Sequence, residues 1–261
     1  MSFFDSARPL VFAHRGGCAL GPENTIAAFD LGMASGADGL ELDVHLSRDG
    51  VAVVCHDDTL ERTTNASGLV GSLTAAELAQ VDAGCRFCDA NGEYCFRNRG
   101  IGIPRLRDVL VRYPNVRVIV EMKVNDPAMG RAVVDDVRTA KAEDRVCAAG
   151  YGQASIDAVR AALPRLATSA CHPEVHVALY RSWLGFPVRR PPYGGFQVPE
   201  KAGRIRVVSR RFIRHAHQAD LRVQVWTVDE EADMRRLLSW GVDGLISNRP
   251  DLAVRVRDSM L

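Results

Sequence analysis

Over residues 39–47 the chain reads GLELDVHLS, so that Glu41, Asp43 and His45 alternate with Leu40, Leu42, Val44 and Leu46. An extended strand turns every second side chain to the same face, which puts the three polar groups on one face and the aliphatic set on the other. VRVIVEMKV, 116–124, repeats the pattern, with Glu121 and Lys123 set against Val120, Met122 and Val124. If the aliphatic faces pack against helices, the carboxylates point inward, which is costly unless a cation or a proton compensates them. Three converging carboxylates, Glu41, Asp43 and Glu121, with no thiolate or imidazole cluster, suit one hard divalent ion, Mg2+ or Ca2+. A half-exposed antiparallel strand would show the same alternation, but parallel strands are covered on both faces, and this favours the ion. His45 is read as a support behind the carboxylates or as a further ligand.

Two histidines stand where other apolar runs end, His14 after LVFA (10–13) and His56 after VAVVC (51–55). Imidazole titrates near neutrality, so two of them at neighbouring strand ends can divide the work of general base and general acid. Arg15 and Lys123 add fixed positive charge suited to a phosphate, and the arginine fork can hold two oxygens at once. Trp226 ends RVQVWTV (222–228) on the parity of Gln224, where it either packs in the core or walls a small-substrate pocket. His172, His176, His215 and His217 show no partner pattern and are read as surface or helix positions. Cys85, Cys88 and Cys95 cluster, but no fourth ligand lies nearby, so they are read as small residues of a loop-rich segment.

These groups have to be positioned by strands alternating with helices. The expected strands are 10–13, 39–47, 116–124, 145–150, 166–170, 222–228 and 242–247, with 51–55 as a further extended piece and 196–198 and 206–209 as candidate fragments. Between them the spacing predicts helices beginning at Ile26 behind Asn24 or Thr25, over 105–113, over 128–141 behind Asp126-Pro127, over 154–163, over 173–184, over 230–240 behind a Thr227…Glu230 capping box, and from Pro250. Gly36-Ala37-Asp38-Gly39-Leu40 and Gly241-Val242-Asp243-Gly244-Leu245 each lead from a helix into a strand, an echo that fits stacked β-α units. About eight such units in a chain of this length favour a closed α/β barrel, the TIM (β/α)8 architecture, over an open sheet. The first strand is not followed by a Gly-x-Gly-x-x-Gly fingerprint, which argues against dinucleotide binding. Residues 58–100 break the rhythm: they are polar and turn-rich, with one short helix at 75–81 behind Thr74…Glu77. They are read as an insertion within a single barrel domain spanning 1–261.

The chain has 261 residues, 47% hydrophobic and 25% charged, which is ordinary globular usage and excludes a disordered chain. Lys plus Arg number 33 and Asp plus Glu 32, a net charge of +1 that gives no electrostatic case for bulk nucleic-acid or membrane-surface binding. No apolar run approaches the ~18–20 residues of a membrane span. Asp5 and Arg8 interrupt the N-terminal segment, so no secretory signal is expected. Seven cysteines, an odd number, fit a reduced compartment, and a cytoplasmic location is expected.

Taken in order, His14-Arg15-Gly16, Pro22-Glu23-Asn24-Thr25, Glu41-Leu42-Asp43-Val44, His56-Asp57, Glu121-Met122-Lys123 and Val225-Trp226-Thr227-Val228 resemble the glycerophosphodiester phosphodiesterases, over residues 11 to about 250. The resemblance implies a barrel of eight β-α units with Glu41, Asp43 and Glu121 on one divalent metal and His14 and His56 as the acid/base pair. It also implies Arg15 and Lys123 on phosphate oxygens and Trp226 lining the substrate pocket. Asp229 stands where that family often carries Asn. The implied reaction is hydrolysis of a small-molecule glycerophosphodiester, such as glycerophosphocholine or glycerophosphoethanolamine, to sn-glycerol 3-phosphate and an alcohol. Two other readings compete, a related phospholipase-type barrel acting on lipids and a non-catalytic binding barrel. The first is opposed by the lack of an evident membrane-binding segment, the second by the presence of every carboxylate and both histidines.

Overall fold

The computed structural model describes residues 3–261. Its elements in chain order are β1 (Leu10–Ala13), α1 (Ile26–Ala34), β2 (Gly39–Leu46), β3 (Ala52–Val54), α2 (Ala75–Leu78), α3 (Leu106–Arg112), β4 (Arg117–Met122), α4 (Pro127–Thr139), β5 (Val146–Gly150) and α5 (Gln153–Ala162). There follow β6 (Ala167–Thr168), α6 (His172–Trp183), β7 (Gly195–Pro199), β8 (Lys201–Ala202), β9 (Ile205–Arg206), α7 (Arg210–Gln218), β10 (Arg222–Trp226), α8 (Glu231–Trp240), β11 (Gly244–Ser247) and α9 (Pro250–Asp258). Eight strands pair in parallel in the order β6-β5-β4-β2-β1-β11-β10-β7. The ends of that path meet where Ala170 N–H donates to Gly195 O at 2.9 Å and Gly194 N–H donates to Thr168 O at 3.0 Å, nearly closing a (β/α)8 barrel. β3 runs antiparallel against β2, and β8 and β9 form a separate small hairpin.

The aliphatic parity of the strands faces the helices, as the alternation requires. Leu40, Leu42, Val44, Val118, Val120 and Met122 pack with Phe29, Leu106, Val109 and Val133 in one core. Val223, Val225 and Leu245 pack with Phe196, Phe212, Met234 and Leu237 in another. The opposite parity fills the barrel, where Phe12, Ile119, Cys147 and Ile246 meet Phe3 and Phe4 from the N-terminal segment. Phe4 reaches so close to the chain at β7 that a Cβ on Gly195 would stand 2.8 Å from its ring, so only glycine fits there.

The repeated turn proves to be one device used twice. Asp38 N–H donates to Val11 O at 2.8 Å while its carboxylate accepts from Val11 N–H at 2.8 Å. Asp243 does the same with Val223, again at 2.8 Å for both bonds. Gly36 and Gly241, at φ 87° and 88°, end the helices that precede each turn. Thr25 caps α1, and Asp126 caps α4 with Pro127 in the first turn.

Other boundaries differ from expectation. Thr227 and Glu230 form no capping box: α8 starts at Glu231, and Glu230 is an N-cap without a side-chain bond. The fragment expected at 206–209 is instead β9, ending at Arg206, because Val207 and Val208 N–H both turn to Glu200 O. Residues 58–100 carry α2 with the Thr74–Glu77 capping box, over a small core of Val53, Leu60, Val70, Leu78 and Ile103. The helix there is one turn long rather than reaching 81. Among the described residues no helix is long and apolar enough to cross a membrane.

Candidate active site

The strand register brings the carboxylates together. Asp43 on β2 lies opposite Glu121 on β4, and Glu41 is two residues back on the same face as Asp43. Ligand oxygens of Glu41, Asp43 and Glu121 all lie within 4.8 Å of one another. Asp43 and Glu41 are buried, and Glu121 is partly so. Lys123 Nζ bridges two of them, 2.8 Å from Asp43 and 2.7 Å from Glu121.

Charge is distributed unevenly over the trio. Burial, reinforced by Asp43 and Glu121, pushes the Glu41 carboxyl well above the usual carboxylate range. The one ionisable basic side chain within ion-pair distance of it, among the described residues, is His14, whose Nε2 is 3.9 Å away. Arg15 contributes only its backbone N–H to Glu41, at 3.0 Å. Burial also opposes ionisation of Asp43, but Lys123 and Arg15 outweigh it and lower its pKa. Three oxygens converging on one point, with a buried carboxyl lacking a cation of its own, fit a hard divalent ion.

The left-handed turn after β1, with Arg15 at φ 50° and Gly16 at φ 88°, points that backbone N–H at Glu41 and directs the guanidinium towards Asp43 and Glu23. Arg15 Nε lies 3.2 Å from Asp43 Oδ2, yet its N–H is not aimed at it, so the pair is Coulombic and that buried donor has no hydrogen-bond acceptor. Burial disfavours the guanidinium charge, but Asp43, Glu23 and Glu41 together raise the Arg15 pKa. Glu23 also takes both Nη atoms of Arg62, at 2.7 and 2.8 Å, and Arg62 in turn binds Asp57.

Each histidine at the mouth is anchored through Nδ1. His14 Nδ1 is 2.6 Å from Asn248 Oδ1, and Asn248 is held by Asp229 through its side-chain and backbone N–H at 2.7 and 2.8 Å. Since Asn248 Nδ2 is spent on Asp229, its Oδ1 must accept, and His14 carries its proton on Nδ1. Burial, against the pull of that bond, lowers the His14 pKa. His56 Nδ1 is 2.6 Å from Asp57 Oδ1. His45 Nε2 sits 3.0 Å from the His56 carbonyl, which makes His45 a support beneath His56.

These residues open onto a cavity of about 350 Å³ lined by His14, Arg15, Glu41, Asp43, His56, Glu121, Lys123 and Trp226 among others. All eight residues singled out in the sequence therefore meet at one place. Sequence reasoning quoted Glu23 and Asn24 within a motif but gave them no role on Arg15 and Asp43; it missed Asn248 and Arg62, and that His172 and His176 of α6 reach the cavity wall. His215 and His217 do not reach it; they bond Ser182 and Asp243. Cys85 is buried, Cys88 and Cys95 are exposed, and all seven cysteines are free.

Cationic side chains beside a carboxylate trio stand at the carboxyl mouth of a parallel barrel, where barrel enzymes carry their active sites. The chain matches the glycerophosphoryl diester phosphodiesterase family over residues 14–252 and belongs to it. The glycerophosphodiester phosphodiesterase of Caldanaerobacter subterraneus subsp. tengcongensis is 32% identical over 259 residues, covering 95% of this chain and 98% of that protein. That of Bacillus altitudinis is 29% identical and covers 96% and 98%. Among solved structures, a glycerophosphodiester phosphodiesterase from Agrobacterium tumefaciens superposes with TM-score 0.77 at 28% identity, covering 96% of this chain and 99% of that one. An Oleispira antarctica phosphodiesterase, in complex with the product sn-glycerol-3-phosphate, shares the fold at TM-score 0.76 and 24% identity, with 96% and 97% covered.

Proposed function

We propose that this chain hydrolyses glycerophosphodiesters, such as glycerophosphocholine or glycerophosphoethanolamine, to sn-glycerol 3-phosphate and an alcohol, by histidine acid/base catalysis with one divalent ion. The observation that carries the reading is the pair of imidazoles anchored through Nδ1 that line the same cavity as the carboxylates, each with Nε2 not engaged in a hydrogen bond among the described residues. Glu41, Asp43 and Glu121 would hold Mg2+ or Ca2+, which supplies positive charge against the phosphoryl oxygens. Arg15 and Lys123, both of which line the cavity, bind the phosphate oxygens of the substrate. His14, whose pKa burial lowers against the pull of its bond to Asn248, takes the proton of the nucleophile at Nε2. His56, whose ring is held through Nδ1 on Asp57, donates to the leaving oxygen. Trp226 walls the substrate.

In this reading the whole chain, 1–261, acts as one catalytic barrel in which 58–100 is an insertion. A cytoplasmic location is supported by the seven unpaired cysteines. The test is His14→Ala and His56→Ala, each expected to lower kcat by about 100-fold or more at unchanged thermal stability. Near-normal turnover in either variant removes that residue from the mechanism.

A further inference from the structure

We propose that Arg62 is a positioning residue: its guanidinium, gripped by Glu23 and Asp57, fixes the phosphate-binding Arg15 and the proton donor His56 relative to one another. The inference rests on the phosphodiesterase reading above and gives the 58–100 insertion a part in the reaction.

Arg62 stands in the first turn of the insertion. Leu60 and Thr64, both fully buried, pin the two ends of that turn: the Thr64 N–H donates to Leu60 O at 3.0 Å, and the Thr64 hydroxyl donates to the same oxygen at 2.8 Å. From there the guanidinium reaches two loops of the barrel mouth. Its Nη groups donate to the two oxygens of Glu23, at 2.7 and 2.8 Å, and its Nε–H donates to Asp57 Oδ2. Glu23 Oε1 also accepts from Arg15 Nη1 at 3.0 Å, and Asp57 Oδ1 lies 2.6 Å from His56 Nδ1. The contacts make a row of alternating charge, Arg15–Glu23–Arg62–Asp57, that ends on the His56 ring. Among the described residues no other side chain hydrogen-bonds both Glu23 and Asp57.

Arg15 and His56 line the cavity, whereas Arg62, Glu23 and Asp57 do not. Arg62 therefore acts through its neighbours and not on the substrate. The hydrogen bond from Arg62 is the leading cause that holds the Asp57 carboxyl down at about 2. Burial opposes ionisation of Glu23, but Arg62 and Arg15 outweigh it and lower its pKa. Both carboxylates are thus ionised at neutral pH and hold the guanidinium from two sides. The reaction gives this link its use. Arg15 fixes the phosphorus through its oxygens, and His56 must meet the leaving oxygen, one bond from that phosphorus, as the P–O bond breaks. The two residues come from separate loops, after β1 and after β3. A misplacement of about 1 Å at reacting groups costs up to about 100-fold. The arginine fork grips Glu23 through two donors and keeps a third for Asp57, and an ammonium group has no such planar fork.

The test sets two substrates against each other, with Mg2+ or Ca2+ supplied. The choline oxygen of glycerophosphocholine must be protonated as it leaves; the p-nitrophenyl ester of glycerol 3-phosphate releases a stabilised phenolate that needs no acid. In Arg62→Gln, kcat for glycerophosphocholine should fall by about 10–100-fold, and kcat for the p-nitrophenyl ester by less than about threefold, because the first substrate alone needs His56 in place. KM should rise by a similar factor for both, through Arg15. Arg62→Lys, which keeps the charge without the fork, should show the same split between substrates. The p-nitrophenyl ester also reports that each variant is folded. An arginine that serves stability alone would slow both substrates alike. That result overturns the inference and leaves the phosphodiesterase reading standing, as does an Arg62→Gln or Arg62→Lys enzyme with wild-type kcat on glycerophosphocholine. Failure of the wild type on both substrates sinks the phosphodiesterase reading itself, and the inference with it.

Discussion

Asn248→Ala isolates the contact that sets the state of His14. Asn248 Oδ1 accepts the His14 Nδ1 proton at 2.6 Å and is itself held on Asp229. A hydrogen bond of this kind is worth about 0.5–1.5 kcal/mol, so its loss lets the wrong tautomer compete by a factor of roughly 2–10. The freed ring also loses its aim, and a displacement of about 1 Å at a reacting group costs up to about 100-fold. Together these give a fall in kcat of about 10–100-fold. KM should barely move, because Asn248 does not line the cavity. Asp229→Asn keeps one acceptor oxygen for Asn248 and should lose less. The assay is steady-state alcohol release from glycerophosphocholine, alongside nitrogen NMR of the ring to read the tautomer. An Asn248→Ala enzyme with kcat within about twofold of wild type and an unchanged tautomer would refute the reasoning.

Glu41→Gln should stabilise the metal-free protein at neutral pH while destroying ion binding. The native Glu41 pKa is raised by burial and by Asp43 and Glu121, so the native state holds a proton that the unfolded chain has released. Stability therefore falls as pH rises from the unfolded pKa towards the native one, and the amide removes that loss. Each kcal/mol relieved raises Tm by about 2–4 °C in scanning calorimetry with a chelator present; a lower Tm for the variant at neutral pH would count against the buried, cation-deprived state of Glu41. The two turn aspartates should differ: Asp243→Ala leaves the Val223 amide unpaired and costs about 1–3 kcal/mol in urea unfolding. Asp38→Ala also strips one of the two carboxylates paired with buried Arg257, leaving Asp258, and should cost more than Asp243→Ala; equal losses would show that this ion pair contributes nothing.

What the sequence disclosed was what periodicity carries. Glu41, Asp43, Glu121 and Lys123 stand out because an aliphatic parity frames them, and parallel pairing leaves them one direction to face. The Gly-x-Asp-Gly-Leu echo was legible because each copy performs the same local bonding. The partners of those residues were not legible. Asn248 meets His14 across 234 positions of chain, and Glu23 and Arg62 join two mouth loops, with no spacing to betray either contact. That α6 and the β8–β9 hairpin line the same cavity was not legible, because two-residue strands carry a pattern too short to see. A weak strand such as β6, two residues long, is held by its neighbours rather than by propensity.

The central claim is that three carboxylates from two strands hold one divalent ion beside the histidines. Calorimetric titration of Mg2+ or Ca2+ into chelator-stripped protein tests it directly. The account predicts one ion per chain, with binding lost in Glu41→Gln, Asp43→Asn and Glu121→Gln alike. Undiminished binding in any of the three, or no binding by the wild type, would contradict it.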